Sequence, residues 1–123
     1  MKPTRGELGR EGENFACGYL VEKGYRLIER NYRKPWGELD IITLSPDGTL
    51  VFVEVKTMWD AGPNGLKPED QVSGAKHRKF VRAAKLYAGS HPELVQDDKG
   101  WRLDLLALVK RGPNFEVRHY ENI

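Results

Sequence analysis

A single cysteine, Cys17, stands among the 123 residues, so no internal disulfide can form and a reducing, cytoplasmic location is the default expectation. No apolar run approaches the roughly 18 residues that would cross a bilayer, so no membrane span is expected. The opening stretch, MKPTRGELGREG, is basic but is followed by no apolar segment, which argues against a secretory signal. Internal repeats, low-complexity tracts and dividing linkers are missing, and residues 1–123 are expected to form one domain. The chain has no phosphate-binding P-loop, serine triad or dinucleotide fingerprint. Its histidines, His77, His91 and His119, keep no ligand spacing with Cys17, which argues against a zinc site. The net charge, +2, is too small by itself to establish a nucleic-acid partner.

What is present is the composition of an ordinary globule, 39% hydrophobic and 31% charged. A first helix is expected from about Thr4 to Lys23: Thr4 and Glu7 have the spacing of a capping box, and Leu8, Phe15, Ala16, Tyr19 and Leu20 form a stripe at helical spacing. Gly6, Gly9, Gly12 and Gly18 weaken that helix, Gly24 should end it, and Cys17 reads as core filler. Strands are expected at Tyr25 to Arg33, Gly37 to Leu44 and Thr49 to Thr57. A loop with an exposed Trp59 runs from Trp59 to Pro68. A second helix, from Glu69 or Ser73 to Ala88, precedes an almost continuously apolar strand, Trp101 to Val109, expected to be buried on both faces. Phe115 to Tyr120 should be an edge strand. The order α-β-β-β-α-β-β predicts an α/β sandwich, one mixed sheet flanked by helices.

The chemistry concentrates between Gly37 and Thr57. Ser45-Pro46-Asp47-Gly48-Thr49 suits a type I turn closed by a glycine bulge, because Pro presets the first φ and Gly accepts the left-handed position. Such a loop pairs Ser45 with Thr49, and counting back pairs Ile42 with Phe52, Asp40 with Glu54, and Glu38 with Lys56. Asp40 and Glu54 then face each other across two strands, about 5 Å apart at Cβ. Lys56 follows on the same face, about 7 Å along, while Val51, Val53 and Val55 fill the other. Facing carboxylates repel unless a proton or cation lies between them. Mg²⁺ is the simplest remedy, since it takes carboxylate, water and phosphate oxygens and can activate a bound water; Mn²⁺ is the natural substitute. Lys56 is placed to orient that water or to stabilise developing charge. The plain alternative is a Glu38–Lys56 ion pair with both acids at a wet sheet end. A loop one residue longer or shorter would put the acids on opposite faces.

Glu13 borders the apolar stripe of the first helix, where it can lean toward the metal or simply solvate the rim. In the second helix Val72, Lys76, Phe80, Ala83 and Tyr87 share one face, with Lys76 its only charge, either snorkelling outward or contacting a phosphate. Lys79 adds to the basic character of this helix. Arg78, Arg82 and Lys85 are like charges at i+4 and i+3 on its outer side, a pattern that phosphates would relieve without reading sequence. Trp36, Trp59 and Trp101 suit either base stacking or packing, and Asp104 is expected to pair with Arg102 or a helix end.

With these residues in hand, the sequence resembles the YraN-like family of predicted endonucleases, within the PD-(D/E)XK or restriction-endonuclease-like superfamily and similar to archaeal Holliday junction resolvases. The resemblance spans nearly the whole chain. It runs through Gly9-x-x-Gly12-Glu13-x-x-Ala16, Gly24-Tyr25, Glu29-Arg30-Asn31-Tyr32, Gly37-Glu38-Leu39-Asp40 and Val51-Phe52-Val53-Glu54-Val55-Lys56-Thr57. It continues through Lys76, Ala83-Ala84 and Tyr87 to Arg102-Leu103-Asp104. It implies metal-binding acids at Asp40 and Glu54, the backbone carbonyl of Val55 as a further ligand, an assisting acid at Glu13 and the family lysine at Lys56. Leu39 stands where the superfamily's proline would be, and Met58 where the family's arginine is usual. The implied activity is Mg²⁺-dependent hydrolysis of DNA phosphodiester bonds, with branched or otherwise unusual DNA as the expected substrate and Lys76, Arg78, Lys79, Arg82 and Lys85 on the backbone; a homodimer would suit cutting two strands. Two other readings stay open: a non-catalytic nucleic-acid-binding protein that retains the fold, and an interaction or scaffold protein.

Overall fold

Capping chemistry sets the first element. Thr4 accepts a hydrogen bond from the Glu7 amide at 3.2 Å, and Glu7 accepts one from the Thr4 amide at 3.2 Å, so the expected capping box closes helix α1, Arg5–Glu22. Gly24, with a left-handed φ of 89°, follows its end. The computed structural model describes residues 3–60 and 74–123, so the loop expected at 59–68 and the start expected for the second helix lie largely outside the described residues. Strands β1, Arg26–Lys34, β2, Gly37–Leu44, and β3, Leu50–Trp59, follow. Helix α2, Gly74–Ser90, a 3-10 turn at Pro92–Leu94, and strands β4, Trp101–Arg111, and β5, Asn114–Tyr120, complete the chain. Trp59, expected in a loop, instead closes β3, because β4 continues alongside and pairs Lys110 with it.

The five strands form one mixed sheet in sequential order, antiparallel except between β3 and β4. A parallel pair needs a long crossover, and α2 lies in that connection. The helices cover opposite faces. Ala16, Cys17 and Leu20 of α1 pack with Ile41, Val51, Val53, Leu106 and Leu108. Phe80, Ala83, Ala84 and Tyr87 of α2 pack with Ile42, Leu50, Phe52 and Leu103. Strand β4 is buried from Leu103 through Val109, as its largely apolar run, broken only by the paired Asp104, requires.

The β2–β3 turn forms as its residues dictate. The Ser45 amide donates to Thr49 at 2.8 Å, the Gly48 amide to Ser45 at 2.8 Å, and Gly48 takes φ 87°. The register follows: Leu44 pairs with Leu50, Ile42 with Phe52, and Ile41 with Val53. Gly12 explains one of the helix-weakening glycines. A Cβ there would lie 2.1 Å from Thr57 Oγ1, so only glycine lets α1 approach β3 this closely.

Candidate active site at the opening between two strands

The β2–β3 ladder stops at Ile41–Val53, one pair short of the expected Asp40–Glu54 pairing and three short of Glu38–Lys56. The physical reason lies in Asp40. Its Oδ2 accepts the Val55 amide at 2.9 Å, so a side chain takes the hydrogen bond that the partner strand would otherwise satisfy. Strand β1 is irregular opposite this point, where Asn31 adopts a left-handed φ of 51°. Leu39 and Ile42 both belong to the α2-side cluster while Ile41 belongs to the α1 side. Strict alternation would separate Leu39 from Ile42, so the strand's phase shifts around Asp40. Its carboxylate therefore leans across toward β3 rather than standing upright as a cross-strand neighbour. Glu38 is 64% exposed at its side chain and pairs with Arg33 at 3.9 Å; the Glu38–Lys56 ion pair does not form.

Glu54 and Lys56 are held by β3 as the register predicted, at the floor of a hollow of about 720 Å³ beside α2. The Glu54 side chain is 3% exposed and lies 3.6 Å from the Lys56 Nζ through Oε1. Its other oxygen, Oε2, is buried and has no hydrogen-bond partner among the described residues. A buried carboxylate oxygen without a donor carries the full cost of its lost hydration. Burial pushes the Glu54 carboxyl up from the ordinary range; Lys56 opposes this and the Asp40 charge adds to it. Burial likewise raises Asp40, against the Val55 amide and the Lys56 and Lys76 charges. Burial and the charge of Lys76 pull Lys56 down, against the pull of both acids. Two penalised acids, one of them with an orphaned oxygen, are a donor set suited to a hard divalent cation.

Glu13 stands on the opposite side of Asp40. Arg30 reaches it at 3.5 Å and donates to Asn14 Oδ1 at 2.7 Å, clamping α1 to β1. Burial raises the Glu13 carboxyl and the charge of Asp40 adds to the rise. Glu13 and Asp40 line a second hollow, of about 730 Å³, in which Val55 and Lys56 also take part. Asp40, Val55 and Lys56 thus border both hollows, whereas Glu54 lines only the α2-side one and Glu13 only the α1-side one.

The basic residues of α2 divide. Lys76, Lys79 and Arg82 line the hollow above Glu54, whereas Arg78 and Lys85 face a separate shallow depression with Val81 and Leu86, which Arg82 also borders. Gly37 permits this arrangement, since a Cβ there would lie 2.9 Å from the Lys79 carbonyl oxygen and 3.0 Å from Ala83 Cβ. Trp36, 39% exposed, lies at the wall of the same hollow, while Trp101 packs against Phe52 in the core. The sequence reading missed Arg30, although the Glu29-Arg30-Asn31-Tyr32 run carried the signal.

Asp104 pairs with Arg102 at 3.0 Å as expected, and also accepts from the Asn122 amide at 3.1 Å and lies 2.9 Å from His119 Nε2. Burial alone would raise its carboxyl, but the bonds to His119, Arg102 and Asn122 outweigh it and hold Asp104 below its usual range. Asp104, His119 and Glu121 lie close enough to share a cation. The Asp104 oxygens are already engaged there, however, in contrast to Glu54.

The fold and this cluster define an α/β domain that presents two or three acids and a lysine at the parting of two adjacent strands. The family model for the uncharacterised protein family UPF0102 matches residues 12–108, and the chain belongs to that family. A UPF0102 protein of Syntrophotalea carbinolica is 40% identical, with 98% of this chain and 93% of the relative covered. A second, from Chlorobium phaeobacteroides, is 37% identical over 94% and 92% of the two chains. A third, from Bacteroides thetaiotaomicron, is 39% identical over 92% and 88%. No helix among the described residues is long and apolar enough to cross a membrane.

Proposed function

We propose that the chain is a Mg²⁺-dependent endonuclease of the PD-(D/E)XK kind, hydrolysing phosphodiester bonds in DNA. The observation that carries this reading is the buried Oε2 of Glu54, without a hydrogen-bond partner among the described residues, in the hollow that Asp40 and Lys56 also line. Asp40 and Glu54 would hold the ion, with the Val55 carbonyl and Glu13 as further donors. Mg²⁺ in that position supplies a Lewis acid for the scissile phosphate and a water of lowered pKa.

The chain's own residues do the rest. Glu54 holds the Lys56 ammonium at 3.6 Å in the lining of the hollow, where it would hold the attacking water or the developing oxyanion. Burial and Lys76 lower the Lys56 pKa, which brings proton exchange with a water closer to neutrality. Lys76, Lys79 and Arg82 line the wall and would hold the backbone on either side of the reacting phosphate. Branched DNA is the preferred substrate, from the resolvase resemblance; a homodimer would suit cutting two strands, and the lone Cys17 suits a reducing cytoplasm.

The test is cleavage of end-labelled linear and four-way DNA with Mg²⁺ or Mn²⁺, comparing the wild type with Lys56→Ala. Removing a group that stabilises transition-state charge is expected to cost about 10²–10³-fold in rate. Binding without cleavage by the wild type would favour a non-catalytic module, and absence of both an interaction protein.

A further inference from the structure

The hollow on the α1 side is basic in its own right. Arg5 and Arg10 come from the first turns of α1, and Arg30 and Arg33 from β1; Arg30 is engaged with Glu13, and Arg33 with Glu38. Arg5 and Arg10 are exposed. Like charges gathered around a concavity raise its potential and draw in polyanions, and a guanidinium fork matches a phosphate. The irregular Asn31 lines the same hollow. Most telling is position: this hollow and the α2-side hollow share Asp40, Val55 and Lys56. A strand whose reacting phosphate sits over those residues has a basic exit on each side.

We propose that the α1-side hollow is a second phosphate-binding tract, with Arg5 and Arg10 contacting the backbone on the side of the scissile bond opposite to Lys79 and Arg82. The proposal rests on the nuclease reading and extends it: the substrate strand crosses the sheet end from one helix to the other. The enzyme therefore takes a strand continuing past the cut in both directions, rather than a terminal nucleotide.

The experiment measures binding of a fluorescein-labelled four-way DNA junction across a range of KCl concentrations. The full chain carries Lys56→Ala and EDTA is present, so nothing is cut. Two paired variants are compared with that parent, Arg5→Gln/Arg10→Gln and Lys79→Gln/Arg82→Gln. Each lost phosphate contact lowers the slope of log K against log[salt] by roughly 0.7–0.9. Each pair should therefore flatten it by about 1.4–1.8, the two effects adding when combined. Arg5→Lys/Arg10→Lys should restore most of the slope. Neutralising Arg5 removes a cation from a helix N-terminus, where cations are unfavourable, so folding should survive, and an unchanged thermal melt verifies it. A normal slope for Arg5→Gln/Arg10→Gln with a flattened one for Lys79→Gln/Arg82→Gln overturns the second tract and leaves the nuclease reading standing. A parent that shows no salt-dependent binding overturns both.

Discussion

Asp40→Asn should abolish stabilisation by Mg²⁺ without weakening the metal-free protein. The amide oxygen can still accept the Val55 amide, now bonded at 2.9 Å, so the strand junction survives. What disappears is a carboxylate whose ionised form burial disfavours and whose charge raises the neighbouring Glu54. The sign follows from those raised values. An acid with a raised folded pKa contributes stability below its unfolded pKa and loses it as pH rises through the folded pKa. At pH 7 the metal-free wild type therefore carries a penalty that the amide lacks, and the variant should melt at the same temperature or higher. Mg²⁺ at tenfold its Kd stabilises the wild type by about 1.4 kcal/mol. A chain of 123 residues unfolds with an entropy of roughly 0.26 kcal/mol/K, so Tm should rise by about 5 °C. The rise should be larger at pH 7.5 than at pH 5, because the ion requires both carboxylates ionised. Differential scanning calorimetry in EDTA and in Mg²⁺, at matched ionic strength, measures each quantity. Metal stabilisation that persists in Asp40→Asn, or a metal-free variant that loses several kcal/mol, would refute the reasoning.

Gly12→Ala should destabilise although alanine is the better helix former by about 1 kcal/mol, because its Cβ meets Thr57 at 2.1 Å and overpacking costs about 1–3 kcal/mol; urea unfolding decides the sign. Asp104→Asn should cost about 1.5–3 kcal/mol at pH 7 through its bonds to charged partners. Since Asp104 is held below its usual range, its contribution is present above the unfolded value, near pH 4, and fades as pH falls further; the variant's stability should therefore be flatter across that acid window in denaturant titrations. Phe52→Ala, emptying a fully buried site packed by Tyr87 and Trp101, should cost about 3–5 kcal/mol in the same assay.

The local determinants were legible because each acts over a few residues. Thr4 and Glu7 capped the helix, Pro46-Asp47-Gly48 built the turn, and that turn carried the register correctly to Ile41 and Val53. The next pair was not legible. Whether Asp40 continues a ladder or takes the Val55 amide with its side chain depends on where β1 and α1 pull the backbone, information that strand alternation lacks. Gly12 read as a helix defect because its reason, Thr57, lies on a distant strand. The basic face of α2 read as one patch, yet the packing of Gly37 against Lys79 and Ala83 fixes which of its charges overlook Glu54. Arg30 stayed hidden as one more charge on an edge strand until Glu13 and Asn14 of α1 were placed above it.

Everything proposed for catalysis requires an ion between Asp40 and Glu54. Anomalous diffraction from Mn²⁺-soaked crystals tests this directly. A peak is expected within carboxylate-bonding distance of both residues, lost in Asp40→Asn. A soaked crystal with no density there, or with manganese held only by Asp104, His119 and Glu121, would contradict it.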